Sequence, residues 1–392
     1  QHFELCLTDL VRFSLFLGLQ GNTGHKVPVR GNAANALEYV DPHSAWTMTM
    51  ARLEFASDYM EGCIPEILTR LTETNLEKSS GYGSDEHTAR AAELIREACD
   101  APDAEVHLLA GGTQTNRTVI GAMLKPWEGV IAAQTGHISV HEAGAIESLG
   151  HKVFELPQRD GKLRARDVEA AFHKYIVDGN RDHMPAPALV YISHPTETGT
   201  LYTRAELEAV TGVAHRYGAR VFLDGARLAY GLGATKTDLT LADIARTCDA
   251  FYIGGTKCGA LFGEAVVFPK PNTCPRFFTW MKQQGALLAK GRITGLQFET
   301  LMEENRYVEY GAKAVRLAEK LREGLKEKGY QLLFNSTTNQ TFVKLPDDKY
   351  QTLSEKVGMS FWEKPDDNHT IVRLATSWAT TEEDVDALLA LM

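Results

Sequence analysis

The sequence predicts an α/β fold built on a mostly parallel, seven-stranded sheet, with a smaller C-terminal α+β domain. Three observations predict it. Seven short, β-rich apolar runs, at 106–110, 130–133, 153–156, 188–193, 220–223, 250–253 and 264–268, are mostly separated by stretches of helical period, the alternation expected of a parallel sheet. The connection from 253 to 264 is too short for a helical crossover, so the seventh strand should run antiparallel. The pattern then changes after residue 285. Among the helices, TRAELEAVTGVAHRYG at 203–218 is the clearest, with Thr203 placed as its N-cap and Gly218 as its stop. A helical run near 285–328 leads into QLLF, TFVKLP, a helix near 349–357, the strand TIVRLAT and a final helix capped at Thr380 or Thr381. The chain therefore divides into an N-terminal extension (1–52), a large α/β domain (53–284) and the smaller domain (285–392).

Composition bounds the function classes. At 392 residues, 44% hydrophobic and 23% charged, the chain can bury a large core. Its formal net charge of −10 leaves no basic footprint for nucleic acid or an acidic membrane. Cys6, Cys63, Cys99, Cys248, Cys258 and Cys274 are scattered without a CxxC pair, which suits a reducing, cytoplasmic setting. The run FSLFLGL near the N-terminus is too short to span a bilayer. Asp9 and Arg12 precede it without a basic n-region or a clear cleavage site, so a signal peptide is the minor reading. Residues 1–47 read as an extension or translated upstream sequence with no catalytic role, Met48 and Met50 being candidate starts.

The chemistry concentrates at strand ends. FYIGGTKCGALFGEAVVF, residues 251–268, places Lys257 on a glycine-flanked turn after a strand, and VFLDGARL, residues 221–228, ends a strand in Asp224. In a doubly wound sheet the carboxyl ends of neighbouring strands face one crevice, so the two can meet the same ligand. Pyridoxal phosphate needs this pair: a lysine amine to carry it as a Schiff base, and a carboxylate to keep its ring nitrogen protonated and the ring an electron sink. In VHLLAGGTQTN, residues 106–116, a strand passes through Gly111, Gly112 and Thr113 into a helix, whose free N–H groups would cradle a phosphate. Neither GxGxxG after a strand nor GxxxxGK[ST] occurs. Cys258 is a candidate nucleophile by position, or simply a small residue beside the cofactor. His137 and His141, four apart with Glu142 adjacent, raise a metal face. The pattern is not H-E-x-x-H and no third ligand is apparent, so no metal is expected.

GGTQTN, GHISVHEAGAIE, FLDGARL and GGTKCGALFGEAVVF occur in an order that resembles the threonine aldolase and β-eliminating lyase group of fold type I pyridoxal phosphate enzymes. SDYMEGCIPEIL, GYGSDEHT and VRLATSWATTEEDVD extend the resemblance over roughly residues 53–392. It implies that His137 stacks on the cofactor ring and that Glu142 belongs to the active site. It also implies that Thr256 and Tyr82 contact the cofactor, Tyr82 across a subunit interface, and that Arg227 contacts cofactor or substrate. Arg373 and Ser57 would hold the substrate carboxylate, a task suited to the planar guanidinium. The family's Glu-Asn-Thr-His segment is replaced here by His194, Pro195, Thr196, Glu197, Thr198 and Gly199, which leaves His194 out of register as a candidate for the histidine near the substrate β-hydroxyl.

The resemblance implies cleavage of the Cα–Cβ bond of a β-hydroxy-α-amino acid to glycine and an aldehyde, with Glu142 through water or His194 as base. β-Elimination giving pyruvate and ammonia uses nearly the same site, transamination is a further option, and a cofactor-binding regulator is the non-enzymatic one. An L-amino acid substrate and a homo-oligomer, dimer or tetramer, are likewise implied.

Overall fold

The computed structural model describes residues 52–392; the expected N-terminal extension, apart from Arg52, lies outside the described residues. All seven expected strands form: β1 (Glu105–Leu109), β2 (Glu128–Ala133), β3 (Val153–Leu156), β4 (Ala186–Ser193), β5 (Arg220–Asp224), β6 (Ala250–Gly254) and β7 (Glu264–Phe268). They make one sheet in the order β1-β7-β6-β5-β4-β2-β3. β3, β2, β4, β5 and β6 pair in parallel, whereas β7 is antiparallel to both β6 and β1. Because β7 returns, its first residue, Glu264, lies at the edge where its neighbours end, opposite Gly254 and Leu109.

Side chains alternate along each strand and pack on both faces of the sheet. Val190, Ile192, Val221, Leu223, Phe251 and Ile253 join one apolar cluster, and Leu189, Tyr191, Phe222, Tyr252, Val266 and Phe268 join the other. The expected helix spans Arg204–Arg216, closed by a reciprocal capping box between Thr203 and Glu206 and followed by Gly218 at φ +73°.

The C-terminal part holds a second sheet of β8 (Gln331–Leu333), β9 (Gln340–Pro346), β10 (Ser360–Asp366) and β11 (His369–Ala375), antiparallel in the order β10-β11-β9-β8. Three details depart from the sequence reading. The helical run near 285–328 is two helices, Arg292–Met302 and Arg306–Glu327, broken where Glu304 and Asn305 take left-handed backbone at φ +53° and +60°. The helix expected at 349–357 spans Asp347–Ser354. β10 was not anticipated, because Pro365 interrupts a largely exposed stretch; Pro is tolerated there because β10 is an edge strand. A two-residue parallel ladder, Leu53–Glu54 with Val357–Gly358, ties the first described residues to this region. The chain then passes on through Phe55, whose carbonyl accepts from the Ala375 amide at 2.8 Å, and this brings Ser57 and Asp58 towards the Asp224 end of β5.

Candidate active site

Strand register builds the floor of the site. Asp224 ends β5 directly beside Ser193 of β4. Period-2 alternation puts Tyr191, Asp224, Tyr252 and Glu264 on one face of the sheet, the face packed by the Gly112–Met123 helix. The Asp224 carboxylate takes four hydrogen bonds: Oδ2 from Tyr191 Oη (2.5 Å) and Asn116 Nδ2 (2.9 Å), Oδ1 from Tyr252 Oη (2.5 Å) and the Ala226 amide (3.0 Å). Burial alone would raise its pKa, but the facing His137 and these donors hold it below the ordinary carboxylate range. Burial and the adjacent charge of Asp224 in turn keep both phenols protonated as donors.

Lys257 lies on the turn between β6 and β7. The amides of Gly255 and Thr256 both donate to the Gly263 carbonyl (2.9 and 3.1 Å), and Tyr230 Oη fixes the Lys257 carbonyl at 2.5 Å. Gly263, at φ +125°, is required here: the conformation is left-handed, and a Cβ would sit 2.8 Å from Thr294 Cγ2. Burial first, and then the Arg227 charge, push the Lys257 amine down from its usual range. Next to it, Glu264 is 3% exposed. Its Oε1 accepts from Thr256 Oγ1 at 2.8 Å, while Oε2 has no partner among the described residues. Burial pushes this carboxyl up to about 8. Lys257, Asp224, Glu264 and Thr256 line one cavity with Gly111, Gly112, Thr113, Asn116, His137 and Arg227.

A second set of hydrogen bonds positions the histidine. His137 Nδ1 meets Glu142 Oε1 at 2.7 Å, the ring N–H donating and the carboxylate oxygen accepting. Asn116 Nδ2 donates to the same Glu142 oxygen at 2.7 Å as well as to Asp224, bridging the two carboxylates. Glu197 accepts from the His137 amide (2.9 Å) and from Ser193 Oγ (2.6 Å). His141 follows the short His137–Val140 helix, its ring centroid 5.7 Å from that of His137. Partial burial, and the nearby His137 and Arg373, lower its pKa and favour a neutral imidazole.

The two arginines differ. Arg227 is committed to Asp58 through Nε (2.6 Å) and Nη2 (2.9 Å), and Asp58 takes a further bond from Asn339 Nδ2 at 2.9 Å. Burial opposes the charge on Asp58, yet Arg227 brings its pKa down to about 2. Among the described residues Arg373, on β11, meets neutral acceptors, Gln340 Oε1 (3.3 Å) and the Ala56 carbonyl (3.2 Å), and its Nε is buried without a partner. Half-buried Ser57 stands between Ala56 and Asp58.

Several expected residues fall elsewhere. His194 is fully buried, accepts the Tyr202 amide at 3.3 Å on Nδ1 and lies behind the cavity wall. Burial pushes it down to about 4, so it is a core histidine and not the expected base. Glu142 has a fully buried side chain, is bonded to His137 and does not line the cavity, which leaves no direct path for the expected action through water. Tyr82 is 46% exposed, under the Lys282 ammonium at 4.6 Å, and borders a separate cavity with Gly83, Thr88 and His107. Cys258 is fully buried and its thiol is pushed up to about 12, which removes it as a nucleophile. Sequence reasoning gave no role to Tyr191, Tyr252, Asn116, Asp58, Glu197 or Glu264. Of the six, Asp58 directly follows Ser57, and Asn116, Tyr252 and Glu264 lie inside motifs already quoted.

The cavity fits pyridoxal phosphate. A largely enclosed lysine amine and a saturated carboxylate face it. An added Cβ on Gly111 would meet no atom within 4 Å, and one on Gly112 would only touch Tyr252 Oη at 3.4 Å, so the cradle is open towards the cavity. Comparison with known proteins is consistent with this. The family model described as "Beta-eliminating lyase" matches residues 54–348. Curated low specificity L-threonine aldolases are 29% identical, one from a Pseudomonas species (88% of this chain, 98% of that protein) and one from Pseudomonas aeruginosa (87% and 97%). A solved Leishmania major threonine aldolase is 45% identical with a TM-score of 0.84, over 86% of this chain and 98% of the other. Thermus thermophilus aspartate aminotransferase, 17% identical over 87% of this chain and 91% of its own, shares the fold at a TM-score of 0.64.

Proposed function

Since the chain belongs to the beta-eliminating lyase family, within its threonine aldolase group, we propose that it cleaves the Cα–Cβ bond of a β-hydroxy-α-amino acid to glycine and an aldehyde, with pyridoxal phosphate as cofactor. The observation that carries this reading is one cavity holding a lysine amine of lowered pKa, an ionised aspartate at the end of the adjacent strand and a glycine-opened helix N-terminus. When bound, pyridoxal phosphate supplies the electron sink for the pair released by the breaking bond.

The protein's own groups divide the remaining work. Gly111, Gly112 and Thr113 would take the phosphate, Lys257 the covalent attachment, and Asp224 the ring nitrogen, where its negative charge keeps a proton in place. His137, hydrogen-bonded to Glu142, lies over the cavity for the ring, which makes Glu142 a positioning residue. Arg373 has no carboxylate partner among the described residues and is assigned the substrate carboxylate, with Ser57 beside it. Arg227 is assigned to shaping the wall, because Asp58 occupies its fork. We assign the β-hydroxyl proton to His141, which stands outside the cavity lining, exposed next to the lining residue His137, with a pKa lowered by burial and by the charges of His137 and Arg373. Lys257 as the ammonium is suited to return a proton at Cα, a transfer that its lowered pKa favours and that leaves the neutral amine.

We also propose that the protein is cytoplasmic and works as a homo-oligomer, dimer or tetramer, in which the exposed Tyr82 reaches a partner's cofactor phosphate. The division at 284/285 is kept as its domain boundary. Among the described residues no helix is long and apolar enough to cross a membrane.

The test is to incubate the purified protein with L-threonine and other β-hydroxy amino acids, assaying glycine, aldehyde, pyruvate and ammonia together. Glycine with aldehyde is the expected outcome, abolished in Lys257→Ala, while pyruvate with ammonia would move the enzyme to the eliminating branch. His141→Phe should lose turnover and keep cofactor binding; undiminished turnover would reassign the base.

A further inference from the structure

We propose that Glu264 holds the cofactor phosphate as a neutral carboxylic acid, donating a hydrogen bond from Oε2 while Oε1 accepts from Thr256. The proposal rests on the functional reading above and extends it to a residue no motif assigns. Four observations carry it. Glu264 begins the antiparallel strand β7, so register sets it opposite Leu109, two residues before the Gly111–Thr113 cradle, and opposite Gly254, three residues before Lys257. It lies on the same sheet face as Asp224 and Tyr252 and lines the same cavity as the cradle. Its two oxygens are not equivalent: Oε1 is engaged by the Thr256 hydroxyl at 2.8 Å, and Oε2 is buried without a partner. Thr256 is oriented to donate because its own oxygen accepts the Gly263 amide at 3.1 Å.

A buried carboxyl with one hydroxyl donor on its first oxygen and an orphan second oxygen is a poor place for a negative charge, and a phosphate nearby makes that charge costlier still. Protonated, the same group turns its orphan oxygen into a donor and complements the free helix N–H groups. The groups facing it are Lys257 and Asp224, with Tyr252, Cys258 and Tyr307 farther round its shell. The first turn of the Gly112–Met123 helix brings no charged side chain. The Thr256 hydroxyl, the Lys257 charge and the Gly255 amide favour the ionised form, but burial outweighs them, and the lowered pKa of Lys257 weakens its share.

Glutamine separates the two charge states. It copies the neutral acid, with an amide oxygen for Thr256 and an N–H for the phosphate, and cannot copy a carboxylate paired with Lys257. The probe is pyridoxamine 5′-phosphate, which carries the phosphate and cannot bond to Lys257, with phosphate-free pyridoxamine as control. Both are titrated by fluorescence onto the full-length chain stripped of cofactor, between about pH 6 and pH 10. We expect Glu264→Gln to bind the phosphate probe within about threefold of wild type near pH 7. As the pH rises further, wild type should weaken by up to about tenfold per unit relative to Gln. Calorimetry in buffers of different ionisation enthalpy, near pH 9, should show wild type taking up close to one more proton than Gln on binding. The phosphate-free control should not separate the two proteins. A Gln variant weaker by about tenfold or more near pH 7, or a wild-type-to-Gln ratio that stays flat to about pH 10, overturns the proposal and leaves the functional reading standing. Failure of wild type to bind either pyridoxal phosphate or the probe at any pH would remove both.

Discussion

Two buried carboxylates face one cavity from adjacent parts of the same sheet edge, and their environments drive them apart. Asp224 ends β5 and receives four hydrogen bonds; Glu264 starts β7 and receives one from a side chain. Both are almost wholly removed from solvent, so burial pushes both towards the neutral acid. The donors aimed at the charge decide the outcome: Tyr191, Tyr252, Asn116 and the Ala226 amide, with His137 opposite, keep Asp224 ionised, while Glu264 lacks an equivalent set and is displaced upward. The site thus presents a fixed anion at one end, and at the other a group that can donate.

The largest test of that difference removes one charge at a time. Asp224→Asn keeps the shape and deletes the anion, and should lower kcat by about 10²–10³-fold, the range seen when a preorganised electrostatic partner is lost. Glu264→Gln near neutral pH should stay within about threefold of wild type, as expected of a swap that preserves hydrogen bonding. Steady-state turnover of the two variants under one buffer checks both. Equal losses would mean that the two carboxylates carry the same charge, and the comparison would collapse.

Trimming the donors around Asp224 sharpens it further. Tyr252→Phe removes the one side-chain donor to Oδ1 among the described residues, a bond to a charged group worth roughly 1.5–3 kcal/mol. The Asp224 pKa should then move up, so the acid limb of the kcat profile should shift to higher pH with the alkaline limb unchanged. An acid limb that stays in place would separate the phenol from the carboxylate's charge.

What was legible in the sequence follows the same division. Asp224 and Lys257 stand at the carboxyl ends of parallel strands, where topology alone predicts a ligand, and Gly111–Thr113 mark a strand-to-helix turn. Glu264 was invisible to that logic because it occupies the amino end of a strand, and only the antiparallel return of β7, itself expected from the short connection, brings it to the site. Tyr191 and Tyr252 read as ordinary apolar strand positions; cross-strand register, which turns their hydroxyls onto Asp224, is not carried by either segment alone. His194 misled for the converse reason: its nearness to an expected motif position says nothing of the side of the sheet edge to which its ring turns. Asp58 could be found only through tertiary pairing, since 169 residues separate it from Arg227.

The smallest effect is on stability, and its sign distinguishes the two groups. A carboxyl with a depressed folded-state pKa stabilises the fold above its unfolded pKa, and that contribution is lost as pH falls through the folded value; this is Asp224. A carboxyl with a raised folded-state pKa contributes fully below its unfolded pKa and loses that contribution as pH rises to the folded value; this is Glu264, between the ordinary carboxyl range and about 8. Glutamine does not titrate. Glu264→Gln should therefore match wild type in acid, then become progressively more stable than wild type as pH rises, by on the order of 1 kcal/mol or more near neutrality once neighbouring relaxation is allowed for. The gain should stop growing above about pH 8. Denaturant unfolding of the cofactor-free chain across pH reads this difference directly. A Gln variant less stable than wild type throughout the range would mean that Glu264 is held as an ion paired with Lys257, the single arrangement in which both carboxylates of this site would be charged.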